Sequence, residues 1–220
     1  MARYVVGDIH GRLGALKEVL TSSEFDYKED KLIVLGDVVD GGPDAKGVVD
    51  ELLKINNLVF VLGNHDKWFI DFMRYGVKED IWTRQGGNAT LRSYRREQDG
   101  CVYIPVTHQH FFNKHKKYHI EDDMIFVHGG FNPDIPIEDN SRSYCTWDRE
   151  LIDYAKGHAV RGYSRVFVGH STTLVYGTTE PQHFNNLWML DTGAGHLGKL
   201  TLMDIDTEEY WQSKRQPSCK

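Results

Sequence analysis

Cysteine is scarce in this chain: Cys101, Cys145 and Cys219 are the only three among 220 residues. The number is odd and no pair stands at Cys-x-x-Cys spacing. That excludes a disulfide framework and a zinc knuckle, and makes a reducing cytoplasm the expected compartment. Long apolar runs are also missing. The longest strong one, 58–62, is far too short to cross a bilayer, and Tyr4-Val5-Val6 is shorter than a secretory leader requires. Positive charge is not in excess, since 26 Lys and Arg stand against 32 Asp and Glu for a formal net charge of −6. Such a balance argues against a protein whose main task is gripping nucleic acid or an anionic membrane. Repeats and Pro/Ser-rich linkers are absent, and the six prolines are scattered. With 40% apolar and 26% charged residues, 1–220 reads as a single globular domain that needs no disulfide or metal staple to fold.

Glycine and histidine are plentiful, at 21 and 11 residues. Residues 3–7 read as a short buried strand, and Leu13, Leu16 and Leu20 recur at helical spacing within 12–22. A second strand is expected over 31–36, a helix over 44–55 with Val48, Leu52 and Ile55 on one face, and a third strand over 58–62. This alternation predicts βαβ units and a largely parallel sheet. Further helices are expected over 64–75, 88–96 and 107–115, the last capped by Thr107. Residues 116–121 and 124–128 read as a hairpin turning at Asp122-Asp123. Strands follow at 165–169, 187–190, 199–205 and 209–212, the last two as an antiparallel pair. The fold class is α/β with mixed sheets, parallel early and antiparallel late.

Five strand ends carry the same punctuation, a glycine beside Asp, Asn or His. They are Gly7-Asp8-Ile9-His10-Gly11, Gly36-Asp37-Val38-Val39-Asp40-Gly41-Gly42, Gly63-Asn64-His65-Asp66, His128-Gly129-Gly130 and Gly169-His170. Ligands of open α/β sheets sit beyond the carboxyl ends of the strands, so one rim is expected to gather Asp8, His10, Asp37, Asp40, Asn64, His65, His128 and His170. Carboxylate, imidazole and amide oxygen without thiolate suit divalent ions such as Mn, Fe or Zn. Six candidate ligands exceed the needs of one ion and suit two, and an Asp can bridge a pair of ions in a hydrolytic site. A histidine held by a carboxylate is also a competent proton donor.

In this order, GDIHG, GDVVDGG, GNHD, HGG and GH resemble the calcineurin-like metallophosphoesterases, and within them the phosphoprotein phosphatase branch with its small bacterial and phage serine/threonine phosphatases. The resemblance runs from Tyr4 to about Thr201. It implies two mixed β-sheets sandwiched between helices (an αββα architecture), with a dimetal site at the sheet edge. It also implies that Asp8 and His10 hold one metal, Asp37 bridges both, and Asn64, His128 and His170 complete the second. His65 becomes the general acid and Asp40 the residue that orients it, while Arg149, in Trp147-Asp148-Arg149, grips the phosphoryl oxygens. The implied reaction is hydrolysis of phosphomonoesters, phosphoserine and phosphothreonine above all, by a hydroxide shared between two divalent ions, manganese first and iron or zinc next. The implied partner is a phosphorylated protein or a small phosphoester.

The alternatives are a dinucleoside polyphosphate hydrolase, a phosphodiesterase or nuclease of the same superfamily, and a scaffold that binds phosphorylated partners without turnover. The sequence departs from the branch pattern at Gly41, where an arginine clamp is usual, and Arg12 or Arg142 are the candidates to replace it. Asp66 stands where eukaryotic members carry Glu, a variant shared with dinucleotide-cleaving relatives. Asp191-Thr192-Gly193-Ala194-Gly195 is expected to form a wall of the site.

Other features read as structural. Arg92, Arg95 and Arg96 beside Tyr94 are expected on a solvated helix face. His108, His110, His115 and His119 are expected on a surface helix and strand, and Trp68, Phe69 and Phe72 in the core. Asp204 and Asp206 lack a calcium-loop pattern.

Overall fold

Alternate residues of the first strand serve two different cores, because successive side chains of a strand point to opposite faces. In the computed structural model, which describes residues 1–217, Tyr4 and Val6 pack with the helices on one face while Val5 faces a second sheet. The pattern repeats along Leu32 and Val34 against Ile33, and along Ile125 and Val127 against Phe126. Between the sheets the Phe126 and Phe167 rings stack at 4.9 Å, nearly parallel.

The elements in chain order are β1 (Arg3–Val6), α1 (Leu13–Ser22), β2 (Lys31–Val34), α2 (Ala45–Leu52), β3 (Asn57–Phe60) and α3 (Asn64–Tyr75). Then come α4 (Asp80–Trp82), a π-helical turn (Thr83–Gly87), α5 (Asn88–Ser93), α6 (Val106–Asn113), β4 (His119–Glu121), β5 (Met124–Val127), α7 (Arg142–Trp147) and α8 (Glu150–Gly157). The chain continues through β6 (Arg165–Val168), β7 (Gln182–Phe184), β8 (Leu187–Met189), β9 (Thr201–Asp204) and β10 (Tyr210–Gln212). One five-stranded sheet has the order β10-β9-β1-β2-β3 and the other β4-β5-β6-β8-β7. Strands β1, β2 and β3 are parallel in register, with β9 antiparallel to β1. In the second sheet β5, β6 and β8 are parallel, flanked by antiparallel β4 and β7. Two mixed sheets between helical layers are therefore present as expected, although parallel pairing extends into the late part of the chain.

Several local expectations are corrected. The helix after Pro105 starts at Val106, so Thr107 lies inside the first turn. The Pro105 carbonyl receives the N–H groups of His108 and Gln109 in place of a side-chain cap. The helix from Asn88 ends at Ser93, because Arg95 leaves it to pair with Val102. His108 is buried, not on the surface: its ring bonds Tyr94 Oη at 2.9 Å on one side and Asp50 Oδ1 at 2.9 Å on the other. Helices α7 and α8 and strand β7 had no counterpart in the sequence reading. Cys219 lies outside the described residues. Among the described residues no helix is long and apolar enough to cross a membrane.

Candidate active site

The carboxyl ends of β1, β2, β3, β5 and β6 open onto one cleft of about 810 Å³. Asp8, His10, Asp37, Asn64, His65, Arg149 and His170 line it, and Asp40 and His128 are buried just behind that lining. The strand-end residues thus meet in one place. Two groups of potential ligands form, each with its donor atoms within 4.8 Å of one another: His10, Asp37 and His65, and Asp37, His128 and His170. Asp37 belongs to both. Its Oδ2 lies 3.8 Å from His10 Nε2 and 3.4 Å from His128 Nε2, and Asn64 Oδ1 is 3.0 Å from the same His128 nitrogen. Asp8 is not in either group; its two oxygens accept the His170 backbone N–H at 3.2 and 3.0 Å.

The backbone is bent to achieve this. His10, Asp37, Asp40 and His170 all have positive φ, between 48° and 70°. Side-chain-bearing residues avoid that region, and their concentration at one spot marks a site that the surrounding fold over-determines.

The donor set fits divalent ions. His128 Nδ1 faces the Leu35 carbonyl at 2.8 Å and His10 Nδ1 faces the Val39 carbonyl at 3.2 Å, which directs each Nε2 at Asp37. Such a backbone partner fixes the tautomer that leaves Nε2 as a ligand. His170 Nε2 is buried with no hydrogen-bond partner, an orphan that a cation would satisfy. Burial holds His10 and His170 down to about 3, with His65 and His128 respectively adding to the effect, so both rings are kept in the neutral, ligating form. Burial, helped by Asp191 and Asp37, raises the Asp8 carboxyl well above the usual range, and burial lifts Asp191 to about 6. Carboxylates crowded in this way are relieved by positive charge among them.

Asp40 and His65 form a separate device. His65 Nδ1 lies 2.8 Å from Asp40 Oδ2, which also receives Trp82 Nε1–H at 2.8 Å. Asp40 Oδ1 receives the Thr90 hydroxyl at 2.6 Å. Burial opposes charge on His65, but Asp37 and Asp40 outweigh it and raise the ring to about 9.

Neither Arg12 nor Arg142 lines the cleft. Arg12 is turned away toward the Ala194 and Pro217 carbonyls. Arg149 stands exposed at the N-terminus of α8 with no hydrogen bond or ion pair among the described residues. Trp68 packs against the first core while its half-buried ring reaches the site, meeting His65 at 5.1 Å and Trp147 at 5.3 Å, and Trp147 meets His170 at 5.5 Å. Asp191, Gly195 and His196 line one wall, in keeping with the expectation for that segment.

Sequence reasoning missed Thr90, Trp82, Arg84 and Arg92 at this site, and did not foresee the structural role of Asp66. Asp66 accepts the backbone N–H groups of Asp37 at 2.7 Å, Val38 at 3.0 Å and Gly63 at 3.0 Å, tying the loop after β2 to the start of α3. Burial and Asp37 push its carboxyl up to about 7 while these donors pull it down. Its place three residues after Gly63, in the first turn of a helix, was the available signal.

Comparison with known proteins places these observations. The family model described as calcineurin-like phosphoesterase matches residues 1–186. The chain is 27% identical to serine/threonine-protein phosphatase 1 of Salmonella typhimurium, over 92% of this chain and 91% of that protein. It is 32% identical to a symmetrical bis(5'-nucleosyl)-tetraphosphatase of Pseudomonas syringae pv. tomato, over 96% and 89%. A similar tetraphosphatase from Nitrosomonas europaea is 30% identical over 63% of this chain, which spans only 48% of that protein. Among solved structures, that of a putative diadenosine tetraphosphatase superposes with a TM-score of 0.68 at 19% identity, over 96% of this chain and 92% of its own.

Proposed function

Because the chain belongs to the calcineurin-like phosphoesterases, we propose that it is a dimetal phosphatase acting on phosphomonoesters, with phosphoserine and phosphothreonine in proteins as its substrates. The carrying observation is the 2.8 Å His65–Asp40 contact beside two ligand groups that share Asp37. Asp8, His10, Asp37, Asn64, His128 and His170 would hold two divalent ions, manganese foremost and iron or zinc as alternatives. Such a pair supplies an activated water nucleophile and neutralises phosphoryl charge. Arg149 binds the phosphoryl oxygens, where a guanidinium makes short charge-assisted contacts. His65 gives its Nε2 proton to the leaving oxygen, since its Nδ1 is engaged by Asp40, and Asp40 keeps the ring charged and aimed. With water as the nucleophile the reading needs no phosphoenzyme, and no cysteine lines the cleft among the described residues.

Similarity across nine-tenths of both chains to the Salmonella phosphatase supports the protein-phosphatase reading. The tetraphosphatase reading has the Pseudomonas similarity in its favour, and Asp66 in place of Glu. One assay separates them: protein loaded with Mn²⁺ is offered a phosphothreonine peptide, an aryl phosphate and diadenosine tetraphosphate. Higher kcat/KM on the peptide is expected. Preference for the dinucleotide reverses the ranking, and no turnover with metal bound points to a non-catalytic scaffold.

A further inference from the structure

Two arginines stand in the cleft with no part in the chemistry above. Arg92 reaches it from α5 and Arg84 from the π-helical turn. Asn88, Ala89 and Arg92 lie together on one helical face, which forms the wall, while Thr90 turns to Asp40 and Leu91 to the core. The Arg92 guanidinium makes no hydrogen bond or ion pair among the described residues. Arg84 donates to the Asp80 carbonyl and meets the Asp80 carboxylate only loosely, at 3.9 Å, with both side chains largely exposed. Basic side chains on a concave wall focus the local field even in a chain whose net charge is −6.

The backbone accounts for their position. A Cβ on Gly86 would lie 2.3 Å from the Gly41 nitrogen, so the π-helical turn rests directly on the Asp40–Gly41 loop. Gly86 permits this with φ +109°, breaking the helix and delivering both arginines beside a residue that has no side chain of its own. The cleft therefore receives guanidinium groups from both halves of the fold: Arg149 from α8 beside the second sheet, and Arg84 and Arg92 from the helices of the first. One phosphoryl group engages Arg149. A volume of about 810 Å³ leaves room for a good part of the leaving group as well. The cleft also has an apolar rim, with Val175, Trp147 and Tyr176 exposed at its edge. An extended peptide, which presents acidic and apolar side chains in turn, suits both rims.

We propose that Arg92, assisted by Arg84, is an accessory anion subsite that selects leaving groups carrying a second negative charge, namely phosphopeptides with an acidic or phosphorylated side chain close to the scissile phosphoresidue. This rests on the protein-phosphatase reading. The test compares two phosphothreonine peptides that differ only in flanking Glu or Gln, using Mn²⁺-loaded wild type, Arg92→Ala and Arg92→Glu. Metal content and circular dichroism establish that each variant is folded and loaded. The acidic-to-neutral ratio of kcat/KM is expected to be about tenfold in the wild type, carried in KM, as for a single charge complementarity. It falls to near one in Arg92→Ala and below one in Arg92→Glu. A wild-type ratio near one, or a preference that survives Arg92→Glu, overturns the subsite and leaves the phosphatase reading standing. Turnover of an aryl phosphate but of neither peptide overturns both. Preference of the wild type for diadenosine tetraphosphate, lost in Arg92→Glu, assigns the arginines to a polyphosphate and overturns the peptide proposal.

Discussion

Replacing Thr90 by valine removes one hydroxyl and keeps the side chain's shape. That hydroxyl does two things at a fully buried spot: it donates to Asp40 Oδ1 at 2.6 Å and accepts the Asp40 backbone N–H at 2.8 Å. Valine leaves the carboxylate one donor short and the amide without an acceptor. A bond to a charged group contributes about 1.5–3 kcal/mol and a buried donor left unpaired costs about 1–3 kcal/mol, so Thr90→Val should destabilise the fold by roughly 3–5 kcal/mol. Trp82 and His65 still hold Oδ2, so the chain is expected to fold. Urea unfolding after chelation is the suitable assay, because bound ions would raise the apparent stability of both proteins. The loosened carboxylate should also cost activity. Turnover of a phosphothreonine peptide should fall more than that of an aryl phosphate, whose leaving group needs less help from a proton donor. A loss below about 1 kcal/mol would refute this accounting, since it would mean that the Asp40 amide finds another acceptor.

Gly195→Ala would place a Cβ 2.5 Å from His10 Cδ2 and 3.1 Å from its Nε2, forcing the ring aside. Metal analysis should find one manganese fewer per chain with unchanged circular dichroism; an undiminished ion count would contradict the close approach. Asp37→Asn alters the one carboxylate common to both ligand groups, and turnover should drop roughly a hundredfold or more together with metal content. Wild-type turnover with two ions retained would dismiss Asp37 as the shared ligand. Far from the site, Lys31, His119 and Arg3 overcome burial and draw the Glu121 carboxyl down to about 2 from 4.5. As pH falls, the unfolded chain takes up this proton first. The Glu121 contribution is therefore complete above about pH 4.5 and is lost as pH falls toward 2. Wild type should exceed Glu121→Gln by about 3 kcal/mol at pH 7, and the gap should close between about pH 4.5 and pH 2 in denaturation series; a gap constant with pH would disprove the ion-pair account.

Much of the site was legible because each apolar run stops at or within two residues of its strand's end, and the Asp, Asn or His that follows, directly or after one glycine, is the one that the rim receives. Asp8, Asp37, Asn64, His128 and His170 could be read in this way from local sequence alone. The early βαβ units were legible for the same reason: Leu16, Val48 and Leu52 repeat at helical period and do pack inward. Thr90 was not legible, since its partner Asp40 is 50 residues away and no local pattern distinguishes it from any helical threonine. Arg92 looked like part of a solvated face because 88–96 was read as one uniform helix. The break at Gln85–Gly86 and the early end at Ser93 are what turn it into the cleft. His108 looked exposed among lysines, and only the tertiary approach of Asp50 and Tyr94 makes it a buried hydrogen-bonded group.

The two ligand groups draw on different parts of the architecture. Asp8, His10, Asp37, Asn64 and His65 follow strands of the first sheet, whereas His128 and His170 follow strands of the second. Neither layer alone supplies both groups. If the proposed ions bind there, their binding and the docking of one layer on the other would be a single linked equilibrium. Depleting the ions should loosen the seam as well as stop the chemistry, and any ligand that spreads the layers should release metal.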